Sequence, residues 1–275
     1  MALVDRAPAQ PVRPSLLTSE GRHALGARAL NHPVLTILAV YLISRLVALL
    51  ALWVAATWFQ TPAGVGHDDP GLGDMFGLWD GVGYQRIAQD GYPVPLPVDA
   101  DTGRVTYSAW AFYPLYPYLV KLLMVTGMPF AAAGVVLNVV LGGVAALLIW
   151  AVLRSGEHAD RQPQRDRLAL VAAGLWCFYP TTAVMLKPYT EALAVALVAG
   201  ALLMLIRRNY LLVALVAIPL GFARGVAPAL GVAVLIHLVV RWREDRAAGV
   251  PPLLGQRWRA LVMLAAVGVS GVAWP

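Results

Sequence analysis

Long apolar runs separated by short polar segments make up the chain from residue 33 onward. Pro33 to Phe59 is interrupted only by Arg45, and Phe130 to Leu153 carries no charge. Five further apolar runs follow: Leu168–Leu186, Ala192–Ile206, Tyr210–Phe222, Val226–Val240 and the run that begins at Ala260. A membrane-spanning helix needs about 20 mostly apolar residues, so the pattern predicts an all-α polytopic membrane protein with about seven spans.

A polar stretch rich in Gly, Pro and Asp follows the first run, over residues 60–109, with seven Asp and two Arg. Apolar positions at helical spacing predict a short amphipathic helix from Phe76 to Asp90, ended by Gly91, on the membrane surface. The next apolar segment, 110–126, is short and contains two prolines. Its pattern fits either a span or a second interfacial helix.

The distribution of basic residues distinguishes these two alternatives. If 110–126 is interfacial, the four most basic segments lie on one side of the membrane and hold 15 of the 21 Lys and Arg residues. These segments are 1–32, 154–167, 207–209 and 241–259. Short cytoplasmic loops carry an excess of Lys and Arg, which favours the interfacial alternative. We therefore predict a cytoplasmic tail (1–32), a transmembrane domain (33–275) and an outer loop with interfacial helices (60–129).

The amino-acid composition also indicates a membrane protein. Only 13% of residues are charged, against about 25% in soluble domains, and the mean hydropathy is +0.68. The net charge of +6 is accounted for by membrane topology rather than by binding of nucleic acid. The single cysteine, Cys177, excludes an intramolecular disulfide framework. The amino-acid composition, rich in Ala, Val and Arg, suggests a protein of a bacterial plasma membrane. We also expect the chain to stop inside a helix, because the last apolar run is short.

Five charged residues lie within or between the apolar runs, where an unpaired charge costs several kcal/mol. Arg45 is interpreted as snorkelling or paired inside the bundle, and Lys121 as snorkelling. Glu191 stands where a helix begins, so it either caps that helix or belongs to a site. Lys187 and Arg224 stand at breaks between runs and are candidates for binding a phosphate. The alternative for Arg224 is an ion pair with Glu191 or with an Asp of the loop.

Carboxylates of the outer loop supply further candidates. Asp80 follows Trp79 on the predicted surface helix, where it is either a general base or a helix cap. Two short motifs could bind a metal ion: Asp99-Ala100-Asp101, which has the D-x-D form, and His67-Asp68-Asp69. Both are weak signals. The remaining histidines lack ligand spacing, so we predict no metal site. The chain has neither a Walker loop nor a G-x-G-x-x-G fingerprint, which argues against ATP or NAD chemistry.

Four segments, in the same order, resemble the PIG-V type mannosyltransferases, the GPI mannosyltransferase 2-like family of the GT-C glycosyltransferase superfamily. The segments are Trp79-Asp80-Gly81 with Tyr84 and Gly91-Tyr92, Phe112 to Pro117, Phe178-Tyr179-Pro180 followed by Tyr189-Thr190-Glu191, and Ala223-Arg224-Gly225. The resemblance covers roughly residues 35–240. Three positions depart from it: Gly83 replaces a frequent His, Lys187-Pro188 replaces smaller residues, and Val226 replaces an Asn.

The resemblance implies a GT-C-like fold and a defined activity. The enzyme would move mannose from a polyprenyl-phosphate carrier to an acceptor hydroxyl, with inversion, on the non-cytoplasmic face. Asp80 would be the general base, and Arg224 and Lys187 would bind the donor phosphate. Trp79, Tyr84, Tyr113, Tyr189 and Glu191 would form the substrate groove. The resemblance implies no cofactor. The implied partners are the lipid-linked donor, membrane lipids and an acceptor of unknown identity.

Two other functions stay open. Broken helices and intramembrane charges also mark transporters and flippases, although the chain shows no clear internal repeat and a transporter would not account for the large outer loop. The departures at Gly83 and Val226 leave room for an inactive GT-C relative that acts as an assembly partner.

Overall fold

The computed structural model describes residues 29–60, 71–106, 108–155, 162–249 and 254–274. It is 78% helical, and the described residues contain no strand, only an isolated bridge between Val98 and Val105. The α-helices used below are α1 (Pro33–Val54), α2 (Leu72–Gly77), α3 (Asp80–Asp90), α4 (Leu115–Met124), α5 (Phe130–Arg154), α6 (Gln162–Phe178), α7 (Glu191–Ile206), α8 (Tyr210–Ala223), α9 (Ala227–Ala247) and α10 (Leu254–Ser270). The predicted all-α class is confirmed.

Two of the described helices are long and apolar enough to cross a membrane. They are α1, which a π-helical turn extends to Phe59, and α5, with mean hydropathies of 2.4 and 2.5. A bent pair, α6 with the 3₁₀ helix Pro180–Leu186, makes a third if it forms one span. Helices α7, α8 and α10 have 16, 14 and 17 residues, so each is about 21–26 Å long against a hydrocarbon core of about 30 Å. The described helices therefore support a membrane protein with two or three spans by length.

Side chains on the outside of α1 support the same assignment. Leu35, Leu46 and Leu50 are each more than half exposed, on a helix whose opposite side packs Ile37 and Tyr41 into the interior. An apolar surface of this kind is costly in water and matches a lipid environment.

Helix α5 lies at the centre of the bundle and contacts α1, α4, α6 and α7. Small residues on α5 let these neighbours approach closely, as is usual in membrane helix packing. The closest approach is at Gly142, where a Cβ atom would overlap the Tyr41 hydroxyl of α1. Tyr41 is almost fully buried, and its hydroxyl donates to the Asn138 carbonyl at 3.4 Å, so its ring has no room to move.

We predict that Gly142→Ala destabilises the protein by about 1–3 kcal/mol, because the added methyl overpacks the contact between α1 and α5. Gly143→Ala is the matched control, since its Cβ would meet the Tyr41 ring at an ordinary 3.6 Å and alanine is the better helix former. Thermal unfolding in detergent compares the two variants. Equal unfolding temperatures for both would contradict the packing described here.

The helix predicted over Phe76–Asp90 is two helices, α2 and α3, because the chain breaks at Leu78 and Trp79. Leu78 is extended, and Trp79 has φ 55° and ψ −124°, a conformation that L-residues rarely adopt. The break turns the backbone so that Asp80 becomes the first residue of α3. Gly91, with φ 81°, ends α3 as predicted.

The span predicted over Leu168–Leu186 is also not one straight helix. Helix α6 ends at Phe178, and the 3₁₀ helix that follows is bent from it by 69°. Pro180 explains the bend, because proline lacks an N–H and disfavours the helical conformation of the residue before it. Tyr179 is accordingly extended, with ψ 129°.

The segment 110–126 folds as the 3₁₀ turn Ala109–Ala111 and the 10-residue helix α4. A helix of that length is about 15 Å long, half of what a span requires. Its length agrees with the interfacial alternative for this segment.

Candidate functional site

Residues from four separate parts of the chain meet at one end of the bundle. They are Trp79 and Asp80 at the break before α3, Tyr113 before α4, Lys187 and Tyr189 between the 3₁₀ helix and α7, and Arg224 between α8 and α9. Glu191 is the first residue of α7, as predicted. The basic turn Arg207-Arg208 lies at the opposite end of the same helix. The structure thus brings together the residues that were predicted for the donor and substrate site, whereas Lys121 and Asp99 lie on other segments.

A stacked cation forms the first part of this site. The Lys187 Nζ lies 4.0 Å from the centroid of the Trp79 ring and 5.9 Å from that of Tyr189. Lys187 is only 4% exposed, whereas Trp79 is 72% exposed. Burial lowers the pKa of Lys187 below its usual range, while the aromatic ring favours its charged form. The left-handed backbone of Trp79 is a strained conformation of the kind that proteins retain at functional sites.

Asp80 is exposed at the start of α3, and its side chain makes no hydrogen bond or ion pair with the residues that the structure describes. The charge of the Asp80 carboxylate acts on the pKa values of two nearby tyrosines. Burial, with the nearby Asp80 and Glu191 carboxylates, raises the pKa of Tyr189 to about 12, and burial also raises that of Tyr84 to about 12. The Tyr189 hydroxyl donates to the Leu78 carbonyl at 2.8 Å, which ties α7 to the break that carries Asp80.

An ion pair forms the other part of the site. The Arg224 Nη1 donates to Glu191 Oε1 and to Thr190 Oγ1, each at 2.9 Å. The Glu191 pairing is the alternative that the sequence analysis gave for Arg224. The second carboxylate oxygen, Glu191 Oε2, is buried without a hydrogen-bond partner among the described residues. Tyr84 connects this pair to the helix that carries Asp80. It belongs to α3, as Asp80 does, and its hydroxyl lies 3.4 Å from Thr190 Oγ1.

Two glycines make room for aromatic side chains here. A Cβ on Gly225 would lie 2.6 Å from the Tyr113 hydroxyl, which places Tyr113 beside the Arg224 segment. A Cβ on Gly83 would lie 2.6 Å from the Phe112 ring, and that ring packs edge-on against Tyr84 at 5.0 Å. Phe112 therefore occupies the space that a larger residue at position 83 would need.

Asn138 on α5 supports the site and was missed by the sequence analysis. It is fully buried, and its side-chain amide donates to the carbonyls of Lys187 and Tyr189. It therefore fixes the backbone on both sides of Pro188. The signal was available, because Asn138 is the one amide side chain in an otherwise apolar run, and polar residues at membrane depth are costly unless they have a role.

Arg45 on α1 stabilises the segment that precedes Lys187. It is buried and does not snorkel. Its guanidinium donates to the carbonyls of Cys177 and Thr182 and to Thr182 Oγ1. These acceptors lie at the end of α6 and in the 3₁₀ helix, so Arg45 holds the bent segment that leads to Lys187. Of the two roles predicted for it, pairing inside the bundle is confirmed.

An apolar cavity of about 520 Å³ lies between α7 and α9. Glu191 and Arg224 are its charged lining residues, and the rest of its wall is apolar. The lining follows α7 from Glu191 to Leu202, which corresponds to about 16 Å of helix. The ion pair stands at one end of this length, so the cavity is a long apolar slot with a charged end.

The weak metal motifs gain no support. Asp99 Oδ1 accepts hydrogen bonds from the N–H groups of Asp101 and Thr102 and from the Thr102 hydroxyl, so it organises a turn. The described residues contain no group of three His, Cys, Asp or Glu side chains that could hold a metal ion. The His67–Asp69 motif lies outside the described residues, as do residues 1–28 of the predicted tail.

Comparison of the chain with models of known protein families, with curated proteins and with solved structures finds no match. The resemblance to the PIG-V type mannosyltransferases therefore stays a prediction that rests on the four motifs.

Proposed function

We propose that the chain is an integral membrane glycosyltransferase of GT-C type, which moves mannose from a polyprenyl-phosphate carrier to an acceptor hydroxyl with inversion. The observation that carries this proposal is the apolar slot between α7 and α9 with Arg224 and Glu191 at one end. A long apolar cavity with a cation at its end suits a lipid that carries an anionic phosphate. The exposed carboxylate of Asp80 nearby supplies a base.

The donor's chain would occupy the slot, and its phosphate would meet Arg224. Only Nη1 of Arg224 is used in hydrogen bonds to the described residues, which leaves Nε and Nη2 for a phosphate. Lys187 would stabilise the charge that develops on the departing phosphate. Trp79, Tyr84, Tyr113, Tyr189 and Glu191 would surround the sugar and the acceptor.

The reaction would proceed in one displacement. Asp80 accepts the proton of the acceptor hydroxyl, and the acceptor oxygen forms a bond to the anomeric carbon. The bond from that carbon to the phosphate oxygen breaks on the opposite face, and its electron pair stays with the polyprenyl phosphate. Configuration is inverted, and the mechanism needs neither a nucleotide nor a metal ion.

The proposed topology has seven spans in a bacterial plasma membrane, with the site on the non-cytoplasmic face. It is supported by the distribution of basic residues, since the Arg207-Arg208 turn lies at the opposite end of α7 from Glu191. The shorter helices α7, α8 and α10 would cross where the bilayer adapts to them.

A photoreactive polyprenyl phosphate tests the donor site. We predict that it labels residues of α7 and α9 that line the slot, and that Arg224→Gln lowers this labelling about 10-fold or more, because charge-assisted hydrogen bonds contribute about 1.5–3 kcal/mol. Arg208→Gln is the control, since it removes the same charge at the far end of α7. Equal labelling of the two variants, or labelling confined to other helices, would refute the proposed donor site.

A further inference from the structure

The outer segment from residue 93 to 106 (the 93–106 hairpin) exposes an unusual amount of apolar surface. Val94 is 84% exposed, and Leu96, Val98 and Val105 are about half exposed. Val94 and Leu96 line a shallow hollow of about 430 Å³ together with Pro93 and Trp110, and Val98 pairs with Val105 in a bridge. An apolar patch of this kind marks a surface that contacts something other than water.

Alternating prolines reduce the polarity of this segment. Pro93, Pro95 and Pro97 have no backbone N–H. Two of their carbonyls are also paired: Pro93 accepts from Trp110 Nε1 at 3.0 Å, and Pro97 accepts from the Thr106 N–H at 2.9 Å. A backbone with few free donors and paired acceptors loses little when it leaves water. The segment is thus suited to an apolar environment.

An aromatic cluster fixes the base of the hairpin to the end of α10. The rings of Trp110 and Trp274 stack at 5.3 Å with an interplanar angle of 11°, and Tyr92 lies 4.7 Å from Trp110 and 5.1 Å from Trp274. The Trp274 Nε1 donates to the Trp110 carbonyl at 3.1 Å. Tyr and Trp are enriched where a membrane helix meets the headgroups, and the apolar surface of the hairpin continues from this cluster.

Charge is separated along the hairpin in the way a membrane surface requires. Asp99, Asp101 and Arg104 all lie in the turn that joins Val98 to Val105, away from the hollow at Trp110. The apolar half adjoins the aromatic cluster, and the charged turn projects from it. A lipid surface accommodates this arrangement, since the charged turn stays in water while the apolar half contacts the boundary of the acyl chains.

We infer that the apolar half of the 93–106 hairpin, from Pro93 to Val98, docks on the lipid surface of the membrane. The Tyr92–Trp110–Trp274 cluster sets its depth at the level where α10 ends. This docking holds the loop between α3 and α4 against the bilayer. It does not depend on the proposed transferase activity.

Site-specific fluorescence tests this docking, because the chain's single cysteine, Cys177, is buried and leaves an introduced cysteine as the reactive one. Val94→Cys, Leu96→Cys and the control Asp101→Cys would each be labelled with an environment-sensitive dye in liposomes of phosphatidylcholine and phosphatidylglycerol. We expect lipid-attached spin labels to quench the dye at 94 and 96 several-fold more than aqueous iodide does, with the reverse order at 101.

Two results would overturn the inference. Iodide quenching at 94 and 96 as strong as at 101 would show that the hairpin stands in water. Protection of 94 and 96 in native membranes but not in liposomes would show that a protein covers this surface instead, as proline-rich segments can bind aromatic grooves. The use of two apolar positions guards against a local effect of one substitution.

Discussion

Replacement of Asp80 by asparagine is expected to lower sugar transfer by about 10²–10⁴-fold, the contribution that a general base makes to catalysis. Asparagine keeps the size of the side chain and its place at the start of α3 but cannot accept the acceptor's proton. Because the Asp80 side chain makes no hydrogen bond or ion pair with the described residues, its replacement leaves the surrounding contacts in place. The variant should therefore insert and fold as the unmodified chain does, and unfolding in detergent checks this.

Asp90→Asn is the matched control for this variant. Asp90 is the last residue of the same helix and is also exposed, so the substitution removes the same charge about 15 Å along the axis. Transfer by Asp90→Asn should stay at the level of the unmodified chain. Unchanged transfer by Asp80→Asn would remove Asp80 from the role of base.

Replacement of Arg45 by alanine is expected to cost about 3 kcal/mol of stability or more. The variant loses charge-assisted hydrogen bonds to the carbonyls of Cys177 and Thr182, each of which contributes about 1.5–3 kcal/mol, although the Cys177 carbonyl keeps the hydrogen bond from the Thr182 hydroxyl. Part of the loss is offset, because a charge no longer has to be buried in the membrane. Thermal unfolding in detergent measures the result.

Lys121→Ala provides the comparison, since Lys121 is an exposed cation on the apolar helix α4. It should leave the unfolding temperature almost unchanged, as expected for a surface charge. An Arg45→Ala variant as stable as Lys121→Ala would mean that the bent segment after α6 is held by other contacts. That segment leads directly to Lys187, which stacks on the Trp79 ring and is proposed to bind the donor phosphate. Arg45→Ala should therefore also weaken donor binding.

The long apolar helices and the breaks between helices depend on local properties of the sequence, which is why they could be predicted without a structure. Hydropathy alone located α1 and α5, and the polar breaks at Lys187-Pro188 and Arg224 located the ends of α7 and α8. The bend after α6 was missed because the run from Leu168 to Leu186 carries no charge and is mostly apolar, although Pro180 carried the signal. Hydropathy measures composition over a window and is insensitive to a change of direction.

The arrangement of the candidate site needed the structure. The stacking of Lys187 on Trp79 depends on the unusual backbone of Trp79, which no residue pattern predicts for a tryptophan. The alternatives for Arg224 and Glu191 could not be decided from a sequence, because residues 33 positions apart pair only through the packing of α7 against α8. The slot between α7 and α9 likewise depends on how these helices are placed, because its lining combines residues of both.

The fate of a labelled donor tests the central claim most directly. The purified chain would be placed in liposomes with polyprenyl-phosphate mannose labelled in the sugar, together with lipids and glycans extracted from the source membranes as acceptors. The proposed function predicts that the label leaves the polyprenyl phosphate and appears in a glycosidic bond of inverted configuration, and that Asp80→Asn prevents this. Movement of the intact donor across the bilayer without release of its sugar would contradict the proposal and identify a flippase.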